Sequence, residues 1–461
     1  MKTICLVEIS AVLDETDTLT DLYWSNGGYV TQPTDTPANQ YYDPIVINDI
    51  VTNEAINIGS TPSVSFSDIT ISNIGREIFS QYKFKGRTIN IYQGQINQAR
   101  SAFTLIYTGV IDNINGSSIN SYTIKLVDKM QKLNKPISET TLGGTTANSG
   151  QLIPLVFGEV ANISPLLIDP VTNQYQVHLN AVQEIIEVRD FGYPITVTND
   201  IAHGKFTLTT NPAGTITCSV RGDKRSGTYN NTIVEIITEI VKNYGGFTDT
   251  DIDLTNFSTF ASSHTQDVCA YYTSKENILT AITSLADSVE AQIYMTRLGK
   301  LSLFQLDFTA PSVITINDYD IIENSFYLST VLEVQAGIKL NYCQNHAVQK
   351  DLQTGITASH KDSWAKDWLL VEATDIPTAT AHNIETQVTP VDTALINKAQ
   401  AQAEADRRLT VWKAQRYVYK MDVMRTDLVL GQTITYNGND YVILSVSTNF
   451  TKGTSSLEVI I

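Results

Sequence analysis

Apolar and polar positions alternate with a period of two along much of the chain. Thr3 to Val12 reads as a strand, and Ser63 to Asp68 and Thr88 to Tyr92 repeat the pattern. Thr104 to Asp112 and Ser121 to Asp128 flank Asn115 and Gly116; Tyr122, Ile124 and Leu126 share one face, Thr123 and Lys125 the other. That layout predicts a hairpin turning at Asn115-Gly116. Adjacent glycines in the stretch Trp24 to Tyr29 predict a further turn. From Gln151 to Pro194 the chain reads as a strand over Leu152 to Phe157 that stops at Gly158, then a loop marked by Pro165 and Pro170. Strands at Tyr175 to His178 and Glu184 to Val188 follow, and Arg189 to Gly192 turns the chain. Lys205 to Thr209 and Thr215 to Arg221 are two more alternating runs, joined through Asn211 to Gly214.

The period then changes. Thr232 and Glu235 have capping-box spacing, Ile233, Ile236, Ile237, Ile240, Val241 and Tyr244 follow helical spacing, and Gly245-Gly246 supplies a stop. A second helix is predicted from near Ser274, with Ile278, Leu279, Ile282, Leu285, Ala286 and Val289 on one face. It leads into a hairpin, Ala291 to Thr296 and Leu301 to Leu306, turning at Gly299. A third helix is predicted from an Asp392 N-cap to about Ala414, with Leu395, Ala399, Leu409 and Trp412 as its apolar points. Strands follow at Tyr417 to Val423, Gln432 to Tyr436, Tyr441 to Val446 and Leu457 to Ile461. A chain ending inside a sheet suggests a structural C-terminus. No period of 20 to 50 residues recurs, which argues against a solenoid or propeller.

These elements make a β-rich α+β chain. Its 461 residues suggest about three domains. The expected division is 1–140, 151–227, 228–320 and 321–461, with coarse boundaries, units that can interleave, and an exposed, mobile linker of small residues from Thr140 to Gly150.

Charge and chemistry narrow the function more by exclusion than by nomination. A net charge of −17 opposes polyanion binding. Cys5, Cys218, Cys269 and Cys343 form no C-x-x-C motif, and Cys218 lies on the apolar side of its strand, as a buried reduced thiol would. The stretch Met1 to Ser10 is interrupted too early, by Glu8, to read as a signal peptide, and no run approaches a membrane span. Phosphate-loop, dinucleotide-loop and nucleophile-elbow motifs are missing. His178, His203, His264, His346, His360 and His382 are scattered. Asp249, Asp251 and Asp253 begin like a calcium loop, but Leu254 stands where a glycine is needed and Phe260 where a glutamate is. Arg221, Lys224 and Arg225 cluster weakly. Arg407, Arg408, Lys413, Arg416 and Lys420 share a stretch with Glu404 and Asp406, which reads as a solvated, mixed-charge face. The lysines at 129, 132 and 135 read as a solvated turn. The residues nominate no catalytic, cofactor-binding or metal-ligating position, and no cofactor is expected.

Four stretches, in order, resemble tail-tip and baseplate hub proteins of tailed bacteriophages. They are Ile124 to Asp128 with Leu133 to Pro136; Pro154 to Gly158 with Val188 to Gly192; the helix and hairpin from Leu279 to Leu306; and Ala403 to Leu409 with Leu430 to Ile434 and the terminal strand. The resemblance implies a multidomain chain with two tube-like β-barrel domains plus peripheral β and helix–hairpin domains. It implies a homotrimeric hub ring at the distal end of a tail tube, matching a sixfold tube to a threefold tip. Implied partners are the distal tail and tail-tube proteins, a tip fibre or spike protein and a tape-measure protein. DNA would pass through an acidic channel without specific binding. The protein would be a virion component at the tail tip, assembled in the host cytoplasm, and not an enzyme. The sequence lacks the long fibre extensions of many such proteins, so receptor binding would fall to other chains. Two alternatives stand beside this one: a receptor- or glycan-binding tip protein, and a β-rich enzyme degrading cell-wall polysaccharide.

Overall fold

The computed structural model of the protein describes residues 3–13, 15–56, 63–66, 68–73, 81–118, 120–350 and 352–461. The chain is β-rich, with several separate sheets. The N-terminal sheet runs Thr18–Ser25, Thr3–Leu13, Thr88–Gln95, Thr104–Ser118, Ser121–Val127, Ile69–Ser72, all neighbours antiparallel. Successive side chains of Thr3–Leu13 point to opposite faces. Cys5, Val7, Ile9 and Ala11 enter the main core of this sheet, whereas Ile4 and Leu6 meet Tyr29, Tyr42 and Phe103 on the other side.

The hairpin turns later than its Asn-Gly pair predicts. Asn115 and Gly116 stay in the ladder, opposite Thr123 and Tyr122, and the pairing continues to Ser118 opposite Ser121. Cross-strand pairing decides this: the Tyr122 ring lies against Gly116 and covers a residue with no side chain of its own. Of the run Ser63 to Asp68, Ser63–Phe66 forms a strand and Ser67 lies outside the described residues.

Gly158 bends its strand instead of ending it. The strand Leu155–Ile163 pairs with Cys269–Tyr272 up to Gly158 and with Ile216–Asp223 from Glu159 onward. At φ +65° a side chain is disfavoured, and a Cβ would lie 1.9 Å from the Val268 carbonyl oxygen, so only glycine allows that approach. The five-stranded middle sheet is completed by Val182–Asp190 and Tyr193–Ile195. Lys205–Leu208 and Ile216–Asp223, joined directly in sequence, belong to two different sheets. Phe206 and Tyr175 from one sheet pack with Val188, Cys218 and Val220 from the other.

The helix Ile233–Glu239 opens with the Thr232–Glu235 capping box and passes into a wider turn over Ile240–Tyr244 before Gly245. The next predicted helix starts later than Ser274. It is Ile278–Asp287, capped by Asn277, because residues before it are tied to the segment around Pro136: Ile137 N–H donates to Glu276 O and Ile278 N–H to Lys135 O. Its apolar face covers the hairpin Ala291–Met295 and Leu301–Gln305. The third helix is Lys398–Trp412, capped by Asn397, which accepts from Ala399 N and Gln400 N. Asp392 is instead in a short strand paired with Gly337–Tyr342, and Ala399 is exposed. Neighbouring backbone pairing holds Asp392 extended, so the helix cannot begin there.

The C-terminal sheet runs Ile314–Thr315, Thr433–Tyr436, Asn439–Asn449, Thr454–Ile460, Tyr417–Val423, Tyr327–Val331. Val51–Ala55, from the first part of the chain, adds to it along Ser445 to Asn449. The Thr140 to Gly150 segment is mostly exposed, but Gly150 N–H to Leu142 O and Leu142 N–H to Gln151 O close it into a loop.

Candidate functional site

The four ordered sequence stretches fall where parts of the fold are fastened together. Asp128 caps a 3₁₀ turn, Lys129–Leu133, and Leu133 enters the core beneath the helix Ile278–Asp287. The Gly299 turn docks on the N-terminal sheet, where Thr108 N–H donates to Arg297 O at 2.9 Å. Gly431 lies under the Phe304 ring, with no room for a Cβ. Gly158 sits at the change of pairing described above. Around the inserted Val51–Ala55, Asn449 donates to Asp49, Lys452 pairs with Asp49 at 2.8 Å, and Gln93 donates to the Phe450 carbonyl.

Glu54 is buried at this junction. Arg297 N–H donates to one carboxylate oxygen at 3.2 Å, and the guanidinium stands 3.9 Å from the other, which has no hydrogen bond. Burial pushes its pKa above the ordinary carboxylate value against the pull of Arg297.

The stretch read as a solvated mixed-charge face is corrected by the structure at its centre. Glu404 and Arg408 are buried. Glu404 accepts from Arg407 through both oxygens at 2.8 Å and from Arg408 Nε at 2.7 Å. Arg408 also donates to Asp287 O at 2.8 Å, and Arg407 to Val289 O and to Glu290. Trp412 Nε1 donates to Glu290 at 2.6 Å. Two guanidiniums thereby satisfy carbonyls at the C-terminal end of the helix Ile278–Asp287, where positive charge is favoured. Burial opposes the charge on Arg407, but Glu404 and Glu290 outweigh it and hold its pKa above the ordinary value. The rest of the basic stretch is dispersed: Lys413 pairs with Asp375, Lys420 with Glu458, and Arg416 stacks on Phe308.

The groups that sequence left open are now placed. His178 is fully buried; its Nδ1 accepts from Val156 N–H, and its Nε2 is 3.4 Å from Asp223. Burial raises the Asp223 pKa, but His178 and Arg225 reverse this and leave it below the ordinary value. His264 stacks on Phe260 and meets Gln305, while His203 pairs with Asp200 in solvent. Burial pushes the thiols of Cys5, Cys218 and Cys269 up to about 12, so they are not poised as nucleophiles. Cys218 is buried and free, as its strand position predicts. Asp249 pairs with Lys242, Asp251 with Lys129, and Asp253 caps the helix Leu254–Ser263. Arg221 bridges Glu159 and Glu184, and Arg225 stacks on Tyr244. Among the described residues no three His, Cys, Asp or Glu side chains gather to hold a metal ion, and no helix is long and apolar enough to cross a membrane.

One surface stands apart. Every residue of the edge strand Tyr327–Val331 is exposed, including Tyr327 at 54%, Leu328 at 46% and Val331 at 50%. Edge strands usually carry charges or are covered, which blocks pairing with another chain; this one has neither lysine nor glutamate.

No family model matches the sequence, and no curated protein matches it. Among solved structures, the chain is similar to a 43 kDa tail protein of prophage MuSo2 from Shewanella oneidensis, at 10% identity, 98% of each chain covered and a TM-score of 0.41. It is also similar to a prophage tail protein from Listeria monocytogenes EGD-e, at 11% identity, 94% of each chain and a TM-score of 0.42. A chain in the virion of a native gene transfer agent particle matches at 12% identity over 72% of this chain and 91% of that one, with a TM-score of 0.46. These neighbours are tail and virion proteins.

Proposed function

We propose that the chain is a structural protein of a phage tail, forming a homotrimeric hub ring at the distal end of the tail tube. The observation that carries this reading is the coincidence between the four ordered, hub-like stretches and the joints of the fold. Each stretch supplies a fastening between sheets or between a helix and a sheet, which is where an assembly scaffold needs rigidity. On this reading the N-terminal and C-terminal sheets are the two tube-like barrel domains, and the units 151–227 and 228–320 are peripheral. The distal tail and tail-tube proteins, a tip fibre or spike and a tape-measure protein are its partners. The edge strand Tyr327–Val331 pairs with a second copy, its free backbone groups and apolar side chains matching β-addition. Part of the −17 charge lines the lumen and keeps DNA sliding.

Mass measurement of the chain bound to tail tubes, followed by gold labelling of intact tails, tests the reading. Three copies at the distal tip are expected. A chain absent from the tip overturns it, and a neutral or basic lumen overturns the charge hypothesis. Leu328→Lys is expected to abolish the trimer while leaving the monomer folded; an unchanged trimer removes the edge strand from the interface.

A further inference from the structure

Between the paired strands Gly337–Tyr342 and Leu369–Thr374 the chain leaves its sheet over residues 343–368. That is well beyond the roughly 12–15 residues at which a connection usually carries a role of its own. The excursion is bound first to itself. Asn345 N–H donates to Asp367 O at 2.8 Å and closes a neck; Asn345 Nδ2 donates to Trp364 O and Lys366 O, and Gln349 N–H to Trp364 O. The helix Ala358–Trp364, capped by Thr357, completes it. The excursion then lies across the middle sheet. Asn162 Nδ2 donates to Asn345 Oδ1 at 2.8 Å and to Ala347 O at 2.7 Å. Gln353 donates to Phe191 O at 3.1 Å and to Asp190 O at 3.4 Å, and Thr217 Oγ1 donates to Gln349 at 3.5 Å. His346 packs edge-on against Tyr271 at 5.1 Å. Leu352, Ile356 and Trp364 fill the notch at Gly192, where a Cβ would stand 2.6 Å from Leu352. Yet Gln349 is the one buried residue among those described in the excursion. Few buried contacts and water-exposed hydrogen bonds mark a segment that opens locally at lower cost than the sheets it joins.

The residue it covers lowers that cost further. Arg189 is 3% exposed, and its guanidinium carbon lies 5.0 Å from the centroid of the Trp364 ring. Nη1 donates to Glu187 and Nη2 to Ser219 and Asn162, but Nε finds no acceptor among the protein groups. A buried cationic donor left unpaired is costly, and water restores its bond once the ring lifts away. We propose that the excursion is a releasable clasp: it swings as a unit about the neck at Asn345 and Asp367 while both sheets stay folded, uncovering Arg189 and the Gly192 notch. The closed state gains the cation–π contact of Trp364 and the filled notch, and the open state gains hydration of Arg189 Nε. The inference rests on these contacts and is independent of the tail assignment.

Hydrogen exchange of the native full chain and modification of its arginines by phenylglyoxal, both read by peptide mass spectrometry, test the clasp. Amides of the excursion beyond its neck are expected to exchange about tenfold or more faster than those of Gly337–Tyr342 and Val182–Asp190. Trp364→Ala and, separately, Leu352→Ala are each expected to speed modification of Arg189 about tenfold or more, with the protection of both sheets unchanged. Leu352→Ala leaves the Trp364 ring in place, so a gain there reports opening and not a missing cover. The exchange pattern of the unmodified chain decides independently of either variant. Excursion amides that exchange only together with the sheets overturn the proposal. Arg189 modification that Leu352→Ala leaves unchanged does so too, as does loss of sheet protection in both variants, since excursion and sheets would then be one cooperative unit.

Discussion

Two helices cover one core in different ways. Ile278–Asp287 does so with an apolar stripe: Ile278, Ala281, Ile282, Leu285 and Ala286 are buried. Lys398–Trp412 buries Ala401, Ala405 and Leu409 against the same core, yet it also buries Glu404 and Arg408. The first helix stabilises through area removed from water, about 25 cal/mol per Å² of apolar surface. The second brings charge inside, which is tolerable because each buried group finds partners, including the carbonyls ending the first helix. The two helices are therefore one device: the arginines of one finish the hydrogen bonding of the other.

Removing Glu404 is the most severe way to break this comparison. Glu404→Ala leaves Arg408 buried without its carboxylate and is expected to cost about 3–5 kcal/mol in urea unfolding. A loss below about 1 kcal/mol would mean the cluster behaves like an exposed ion pair. Ile282→Ala, the matching change on the apolar helix, is expected to cost about 2–5 kcal/mol through lost burial and a residual cavity. Replacing Glu404, Arg407 and Arg408 together by Leu or Met is expected to cost less than Glu404→Ala, because no charge is then left buried without its partner, the remaining loss coming from the Asp287 and Val289 carbonyls that lose their donors. The caps offer a smaller comparison: Asn277→Ala and Asn397→Ala should each cost about 1 kcal/mol.

The gentlest test sets Glu404 beside the less completely partnered Glu54. The Glu54 pKa is raised in the folded state, so the folded protein holds this proton to higher pH than the unfolded chain does. Stability from this group is therefore present below the ordinary carboxylate pKa and lost as pH rises through the raised folded value. Glu54→Gln should flatten that part of the unfolding free energy measured against pH, and an unchanged slope would contradict the assignment.

Much of the apolar helix was legible. Its stripe from Ile278 to Ala286 has the correct spacing, and the start lies later than the pattern suggests because the backbone of Glu276 and Ile278 is tied to Ile137 and Lys135, which are distant in sequence. The capping box at Thr232 and Glu235 was legible for the opposite reason, since both partners lie within one turn. The charged helix was not legible. Glu404, Arg407 and Arg408 look the same in sequence whether they face water or Asp287.

Sequence by itself determined the β-rich character, the positions of most strands, the two apolar helical stripes and the buried thiol of Cys218. These depend on period and on near neighbours, which residue order records directly. Only the tertiary structure decided that Gly158 bends a strand instead of ending it, that Asn115-Gly116 stays in its ladder, that Asn397 and not Asp392 caps the last helix, and that Val51–Ala55 joins the C-terminal sheet. Each is settled by a partner far away in sequence: the Val268 carbonyl, the Tyr122 ring, the strand Gly337–Tyr342 and the strand Asn439–Asn449. Local propensity ranks what a segment can do, and the distant partner selects which of those conformations satisfies its backbone and fills the space beside it.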